Sequence, residues 1–257
     1  MKLTTDHFNH GASRWIIAGT LLLWTLVAPA AAIQVAGIGG NYGTRAADNL
    51  FASGVLQGSI DRSLTTAGFN AMSVADLRAN YDVLLVSWYS DENLNLDWNT
   101  RLQPYLQMGG GVIWEDSLNI ADLMPAVTAV RSCVSNGTGQ ITPVFTSVPG
   151  LTDGVGGSFV NCHVLYNDWS PDFAPLIQSA GYTLGLYGEV AGGRMVLSLD
   201  TDYHGEPGDN YSTLLANEIR WTAQVAAVPL PAAVWLFLSG LLGLRLAARP
   251  RSGRETT

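Results

Sequence analysis

The sequence predicts an α/β fold: a three-layer arrangement around a mostly parallel sheet that occupies the middle of the 257-residue chain. The first observation behind this prediction is that segments typical of strands alternate with segments typical of helices. The second is residues 81–89, YDVLLVSWY, an almost continuous apolar run that is typical of a strand buried on both faces of a parallel sheet. The third is composition, because 47% hydrophobic and 13% charged residues exclude disorder for most of the chain.

The individual elements follow from hydrophobic spacing and from the residues that start and stop helices. Ala191-Gly192-Gly193 is a hairpin signal between the last two strands. Residues 131–170 are rich in Gly, Thr, Ser, Val and Asn and predict a loop-rich insert with short strands. The predicted strands are 33–38, 81–89, 112–115, 182–190 and 194–200. The predicted helical segments are 47–67, a segment capped by Asp97 and ended by Gly109-Gly110-Gly111, 119–130, 172–180 and 211–225.

Residues 1–32 are typical of a secretory signal peptide. Lys2 and Arg14 form a weakly positive region, the apolar stretch 15–27 follows, and small residues end the segment at Ala32. A membrane-spanning helix needs about 20 apolar residues, so this stretch is short for an uncleaved anchor. We therefore expect cleavage after Ala32, which leaves an exported α/β domain over 33–227.

Residues 228–257 form a second sorting segment. It opens with a Pro-x-Pro motif, continues with the apolar run 234–244 and closes with arginines. An apolar stretch followed by basic residues is typical of a short transmembrane helix with a cytoplasmic stop. A buried helix of the domain is the alternative, which the arginines disfavour. The motif residues are Val228, Pro229, Leu230, Pro231, Ala232, Arg249 and Arg251.

This tail resembles the PEP-CTERM class of bacterial sorting tails in its VPLPA variant, with Leu230 where the commoner form has Glu. The resemblance implies the export machinery and an exosortase-type membrane protease as partners. It also implies an inner-membrane anchor before processing, and afterwards a place at the cell surface or in an extracellular polysaccharide matrix. What the resemblance implies is an address and not an activity.

The 33–227 domain is acidic and has two cysteines. It contains seven arginines, no lysine and nineteen acidic residues, hence a net charge of −12. Nucleic-acid binding needs a basic surface and is excluded, whereas cations would be attracted, with plain solubility as the alternative. Cys133 and Cys162 are an even pair in an exported protein, so we expect a disulfide that closes the insert.

Three segments of the domain resemble the class I glutamine-amidotransferase-like superfamily, including its ThuA-like branch. They are YDVLLVSWYS at 81–90, LQMGGGVIWEDS at 106–117, and GGRMVLSLDTDYHGE at 192–206, which precedes the last helix. The resemblance implies flavodoxin-like layering of helices on a parallel sheet. In active members it also implies a cysteine on a sharp elbow after a strand, completed by a His-x-Glu pair after a late strand.

The chain has the second half of that catalytic arrangement and lacks the first. His204 and Glu206 stand at the matching late position, but the strand that ends at Glu115 is followed by Asp116-Ser117-Leu118, without a cysteine or a glycine-flanked elbow. The resemblance therefore implies an amidotransferase fold that has lost its catalysis. A hydrolase or amidase that uses Ser117 with His204 and Glu206 is the alternative.

A binding site is the other interpretation of the strand ends. Ligands of open α/β sheets bind beyond the carboxyl ends of the strands, where this sequence places acidic residues among Trp88, Tyr89, Trp114 and Tyr203. Carboxylates could bind Ca²⁺, and aromatic side chains beside them suit sugars, although Asp is also a common turn former and helix cap. The candidate residues are Asp91, Glu92, Glu115, Asp116, Asp200 and Asp202.

These observations favour an exported, envelope-sorted bacterial protein with a non-catalytic α/β domain. It would act as a binding or scaffold component associated with the surface or with exopolysaccharide. A passive surface protein without a ligand remains open beside the hydrolase alternative.

Overall fold

A computed structural model describes residues 32–39, 41–87, 96–115, 127–132, 140–160, 163–199 and 210–223. The strands are β1 (Ile33–Gly39), β2 (Gly58–Asp61), β3 (Val83–Ser87), β4 (Gly111–Glu115), β5 (Val127–Ser132), β6 (Gln140–Ile141), β7 (Val144–Phe145), β8 (Phe159–Val160), β9 (His163–Trp169), β10 (Phe173–Ser179), β11 (Tyr182–Val190) and β12 (Gly193–Ser198). The helices are α1 (Asn41–Ala52), α2 (Thr66–Ala71), α3 (Val74–Asn80), α4 (Gln103–Gln107) and α5 (Asn210–Ala223), and a wide helical turn, Trp98–Leu102, leads into α4. This mixed α/β architecture confirms the predicted class at that level.

The main sheet is parallel in one half and antiparallel in the other. Its strands run in the order β2-β1-β3-β4-β12-β11-β10-β7, and β9 joins β11 and β5. Neighbours from β2 to β12 pair in parallel, while β11, β10, β7, β9 and β5 pair antiparallel. The prediction of a mostly parallel sheet is therefore correct only for the first half.

Alternate residues of the central strands enter different hydrophobic clusters. Leu84 and Val86 of β3 join the cluster that α2, α3 and α4 cover, whereas Val83 and Leu85 join the cluster built with α1 and α5. This alternation follows from the two-residue period of a strand. It explains why the 81–89 run is apolar at every position, since both sides of β3 are buried.

The predicted helix over 172–180 is wrong, because these residues form β10. The strand is joined to β11 by a turn in which Ala180 (φ 49°) and Gly181 (φ 84°) are both left-handed. The predicted hairpin between β11 and β12 is confirmed and uses the same dipeptide, Ala191 (φ 54°) and Gly192 (φ 100°). Two positive φ values are the geometry that two-residue hairpins prefer.

The predicted helix over 47–67 is wrong as well. Helix α1 ends at Ala52, and residues 58–61 form the edge strand β2. Gly54, two residues past the end of α1, has φ 77°, a left-handed value that glycine adopts without strain. Gly58, the first residue of β2, has φ 131°. Gly58 is also required by packing, since a Cβ there would lie 1.9 Å from the carbonyl oxygen of Ile33 on β1.

Two further predictions fall on the 119–170 region. The predicted helix over 119–130 is wrong at its end, because 127–132 is strand β5, while 119–126 lie outside the described residues. The predicted Cys133–Cys162 disulfide is not supported, because no disulfide is seen in the described part of the chain, and both cysteines lie outside that part. The antiparallel pair β5–β9 holds this region to the main sheet by its backbone ladder instead.

Candidate functional site at the carboxyl ends of the central strands

Three neighbouring parallel strands end in buried polar residues. Ser87, Glu115 and Ser198 are the last residues of β3, β4 and β12, and each is at most 1% exposed. Ser198 lies directly opposite Glu115 in the β12–β4 register. The β3–β4 register places Ser87 one residue beyond the Val86–Trp114 pair. The parallel half of the sheet therefore carries a cluster of polar side chains at its carboxyl edge.

These three side chains face α1 and α5. Leu85 and Ile113, two residues before Ser87 and Glu115, pack in the cluster to which α1 and α5 contribute. Because side chains two positions apart in a strand point to the same face, Ser87 and Glu115 point toward the same two helices. The polar cluster thus lies where those helices cover the carboxyl edge.

The first turn of α1 lies against Glu115. The Gly43 amide donates a 3.1 Å hydrogen bond to Ser87 Oγ. A Cβ at Gly43 would lie 1.7 Å from Glu115 Oε2 and 2.5 Å from its Cδ, so only glycine fits there. The first turn of α1 is therefore packed directly on the Glu115 carboxyl group.

Helix α5 adds a second buried carboxyl, Glu218. Ser198 Oγ donates a hydrogen bond to Glu218 Oε1. Ser198 therefore contacts Glu218 and lies opposite Glu115 in the sheet. Glu218 is completely buried, and this burial raises its pKa to about 8, against a smaller opposing effect of the bond from Ser198. Among the described residues, Glu218 Oε2 has no hydrogen-bond partner. The carboxyl is therefore largely protonated at neutral pH.

Two side-chain hydrogen bonds hold the second half of α5 in place. Asn217 Nδ2, in the middle of the helix, donates to the carbonyl oxygen of Asp153 at 2.8 Å. Nearer the carboxyl end, Arg194 of β12 donates to the carbonyl oxygen of Trp221 at 2.9 Å, and its guanidinium lies 4.8 Å from the centre of the Trp221 ring. Glu218 lies between these two contacts in the helix sequence.

Glu115 is the predicted site residue that the structure describes. It lies at the end of its strand, as predicted, but it is buried beneath α1 and not exposed at a rim. Trp114 is also fully buried and packs in the cluster of α2 to α4, so it offers no face to a sugar. Within the described ranges, no group of three or more His, Cys, Asp or Glu side chains could hold a metal ion.

The other predicted site residues fall outside the described residues. They comprise the remaining acidic candidates, the alternative catalytic residues, the cysteines and the sorting motif. They are Asp91, Glu92, Asp116, Asp200, Asp202, Ser117, His204, Glu206, Cys133, Cys162, Val228, Pro229, Leu230, Pro231, Ala232, Arg249 and Arg251.

Sequence reasoning missed Glu218 as a partner of the strand ends. A signal was present, because Glu218 shares a helical face with apolar residues such as Leu214 and Leu215. Gly43 and the serines offered weaker signals, because a glycine or serine near a strand end is ordinary in a loop. Their roles depend on contacts between elements distant in sequence.

Comparison with known proteins finds similarity in fold alone. No family model and no curated protein matches the chain. A solved cytoplasmic protein from Salmonella typhimurium LT2, STM1381, is similar with a TM-score of 0.53 and 14% identity, covering 74% of this chain and 99% of that chain. Another cytoplasmic protein from Salmonella typhimurium, STM3548, has a TM-score of 0.52, with the same identity and coverage.

The predicted localisation, with its membrane and cell-surface assignment, is corrected by two findings. None of the helices in the described part of the chain is long and apolar enough to cross a membrane, and both similar structures are named as cytoplasmic proteins. An exported, membrane-anchored protein is therefore the wrong prediction. The segments 1–32 and 228–257 on which the prediction depended lie outside the described residues.

Proposed function

We propose that residues 33–227 form a non-catalytic binding domain with amidotransferase-like layering, whose ligand docks at the carboxyl edge of β3, β4 and β12. The observation that supports this proposal best is the run of polar residues Ser87, Glu115 and Ser198 at the ends of three adjacent parallel strands. Ligands of open α/β sheets bind beyond such ends. Glu115 would shape the floor of the site, because α1 and α5 cover its side chain.

The ligand chemistry follows from charge. The domain has a net charge of −12 and no lysine, and the chain continues past Glu115 and Ser198 into Asp116, Asp200 and Asp202. Oxygen ligands of this kind suit Ca²⁺. A calcium ion, or a polysaccharide segment held through one, is therefore the ligand that we propose. The burial of Trp114 disfavours direct stacking on a sugar ring at this strand.

The test is thermal unfolding of the full chain in EDTA and in millimolar Ca²⁺. At 100 times its dissociation constant, Ca²⁺ adds about 2.7 kcal/mol, which is about 5–10 °C at this size. We expect this shift in the wild type and its loss in the double variant Asp200→Asn, Asp202→Asn.

The matched control is Asp168→Asn, Asp172→Asn. It removes the same number of charges at two exposed positions near the β9–β10 turn. A wild type without a shift contradicts the calcium proposal. Equal loss of the shift in both double variants would indicate diffuse attraction to an acidic surface.

A hydrolase remains the second candidate, and one observation favours it. Strands β4 and β12 are direct parallel neighbours, so the segments that contain Ser117, His204 and Glu206 continue from adjacent strand ends. This candidate predicts turnover of a chromogenic ester or of glutamine that Ser117→Ala and His204→Ala both abolish. Absence of turnover with both substrates in the wild type supports the binding domain.

The proposed function does not depend on the tail. The resemblance of the tail, 228–257, to bacterial sorting tails, with the partners that it implies, stays a prediction from sequence. A passive scaffold without a ligand is the remaining alternative. It predicts no stabilisation by Ca²⁺ and no turnover of either substrate.

A further inference from the structure

The contacts of Glu218 join α5 to the carboxyl edge of the sheet. Its Oε1 accepts the hydrogen bond from Ser198 of β12, and its backbone carbonyl accepts a 2.7 Å bond from Thr222 one turn later. Within the described residues, its Oε2 has no hydrogen-bond partner. The Ser198 bond is therefore the one described hydrogen bond of this carboxyl group, in the middle of the helix face that packs on the sheet.

Glu218 has no opposite charge among the described groups near it. The sheet presents Glu115 from β4, which is itself an acid, and the hydroxyl of Ser198 from β12. Strand β3 adds the hydroxyl of Ser87. An ionised carboxylate in such surroundings is costly, because its lost hydration is not replaced by a cation.

The remaining charged groups on the elements packed against α5 point elsewhere. Arg45 and Asp48 of α1 are exposed, as is Asp153, whose backbone oxygen and not its carboxylate bonds to α5. Arg194 of β12 lies over Trp221 near the carboxyl end of the helix. On α5 itself, Arg220 donates to the carbonyl oxygen of Val55.

We propose that Glu218 is a proton-dependent latch, which holds α5 on the ends of β4 and β12 while its carboxyl group is protonated and releases the helix when the proton is lost. The released carboxylate gains water, and Glu115 loses the helix that covers it. The latch is a property of the fold and needs no ligand, so it goes beyond the proposed function.

The direction of the pH dependence follows from the linkage between proton binding at Glu218 and opening of the helix. The closed state holds the Glu218 proton up to about pH 8, whereas the opened helix loses it near the ordinary glutamate pKa of about 4.3. Between these values the closed state binds one more proton than the open state. The opening equilibrium constant therefore rises about tenfold per pH unit from about pH 5 to about pH 8 and then levels off.

Hydrogen exchange of the full-length chain measures this constant, after correction for intrinsic exchange. We expect protection of 210–223 to fall about tenfold per pH unit over that range, while 83–87 in β3 stays protected and reports that the sheet remains folded. In Glu218→Gln, which keeps the shape but cannot ionise, the slope should disappear. The control Glu189→Gln changes an exposed glutamate whose side chain is 75% accessible, and it should keep the slope.

A pH-independent wild type, or an unchanged slope in Glu218→Gln, overturns the latch. Equal loss of protection in 83–87 also overturns it, because the transition is then global unfolding. If Glu218→Gln does not fold, carboxyl ¹³C titration of the wild type decides the question. One glutamate that titrates near pH 8 supports the latch, and the absence of any carboxyl titrating above about pH 6 contradicts it.

Discussion

Replacing Gly43 by alanine tests the packing of α1 on Glu115 directly. A Cβ at this position would lie 1.7 Å from Glu115 Oε2 and 2.5 Å from Cδ, so either the carboxylate or the helix must move. Overpacking of this kind costs about 1–3 kcal/mol. Displacing α1 would also break the hydrogen bond from the Gly43 amide to Ser87, which costs about 1 kcal/mol.

One effect opposes these losses. Alanine is favoured over glycine inside a helix by about 1 kcal/mol. The net expectation is a loss of about 1–3 kcal/mol in the free energy of unfolding, measured by urea denaturation of the full chain. The control is Gly156→Ala, because Gly156 has an ordinary φ and no heavy atom within 4 Å of a built Cβ.

A double-mutant cycle identifies the cause. In a Glu115→Ala background the clash is gone, so Gly43→Ala should become neutral or stabilising, with a coupling energy above about 1 kcal/mol. The reasoning is refuted if Gly43→Ala costs no more than Gly156→Ala in the wild type. It is also refuted if the two substitutions are additive.

Three other predictions follow from polar contacts of Asp61, Tyr81 and Arg194. Hydrogen bonds from Ser63 and Tyr81 lower the pKa of Asp61, so the stability that Asp61 contributes is present at neutral pH and is lost as the pH falls from 3.8 through the lower folded pKa. Burial and the hydrogen bond to Asp61 raise the pKa of Tyr81 to about 12. In Asp61→Asn, ultraviolet titration should show a lower pKa of Tyr81 that stays above 10. An unchanged pKa would contradict the assigned hydrogen bond. Arg194→Ala should lower the free energy of unfolding, measured by urea denaturation, by about 1–2 kcal/mol, because it removes the contact with the Trp221 ring and the hydrogen bond to the Trp221 carbonyl oxygen. A change below about 0.3 kcal/mol would contradict this prediction.

The sequence predicted best the elements whose local pattern and buried environment agree. The apolar run 81–89 contains β3, the 112–115 segment lies in β4, and 211–225 contains most of α5. Asp97 caps a helical segment as predicted, because its side chain accepts a 2.8 Å bond from the Thr100 amide. In these cases one face or both faces of the element are buried, so hydrophobic spacing carries the information.

The errors occurred where local pattern is ambiguous. Phe173, Leu176 and Ile177 have helical spacing, yet all three are buried in β10, a strand with register shifts on either side of Ile177. A bulge changes the two-residue period of a strand, and the remaining pattern resembles that of a helix. Pairing with β11 decided this segment. The Ala-Gly turn at 180–181 was the local signal that could have indicated it.

The sequence by itself determined the α/β class, the central parallel strands and the presence of an acid at the end of β4, because burial on both sides of a strand leaves a pattern in adjacent residues. Tertiary structure alone decided the antiparallel pairing beyond the β11–β12 hairpin and the partners of that acid. Gly43, Ser198 and Glu218 lie 72, 83 and 103 residues from Glu115 along the chain. Their contacts arise from packing between elements, and packing at such separations leaves no period in the sequence.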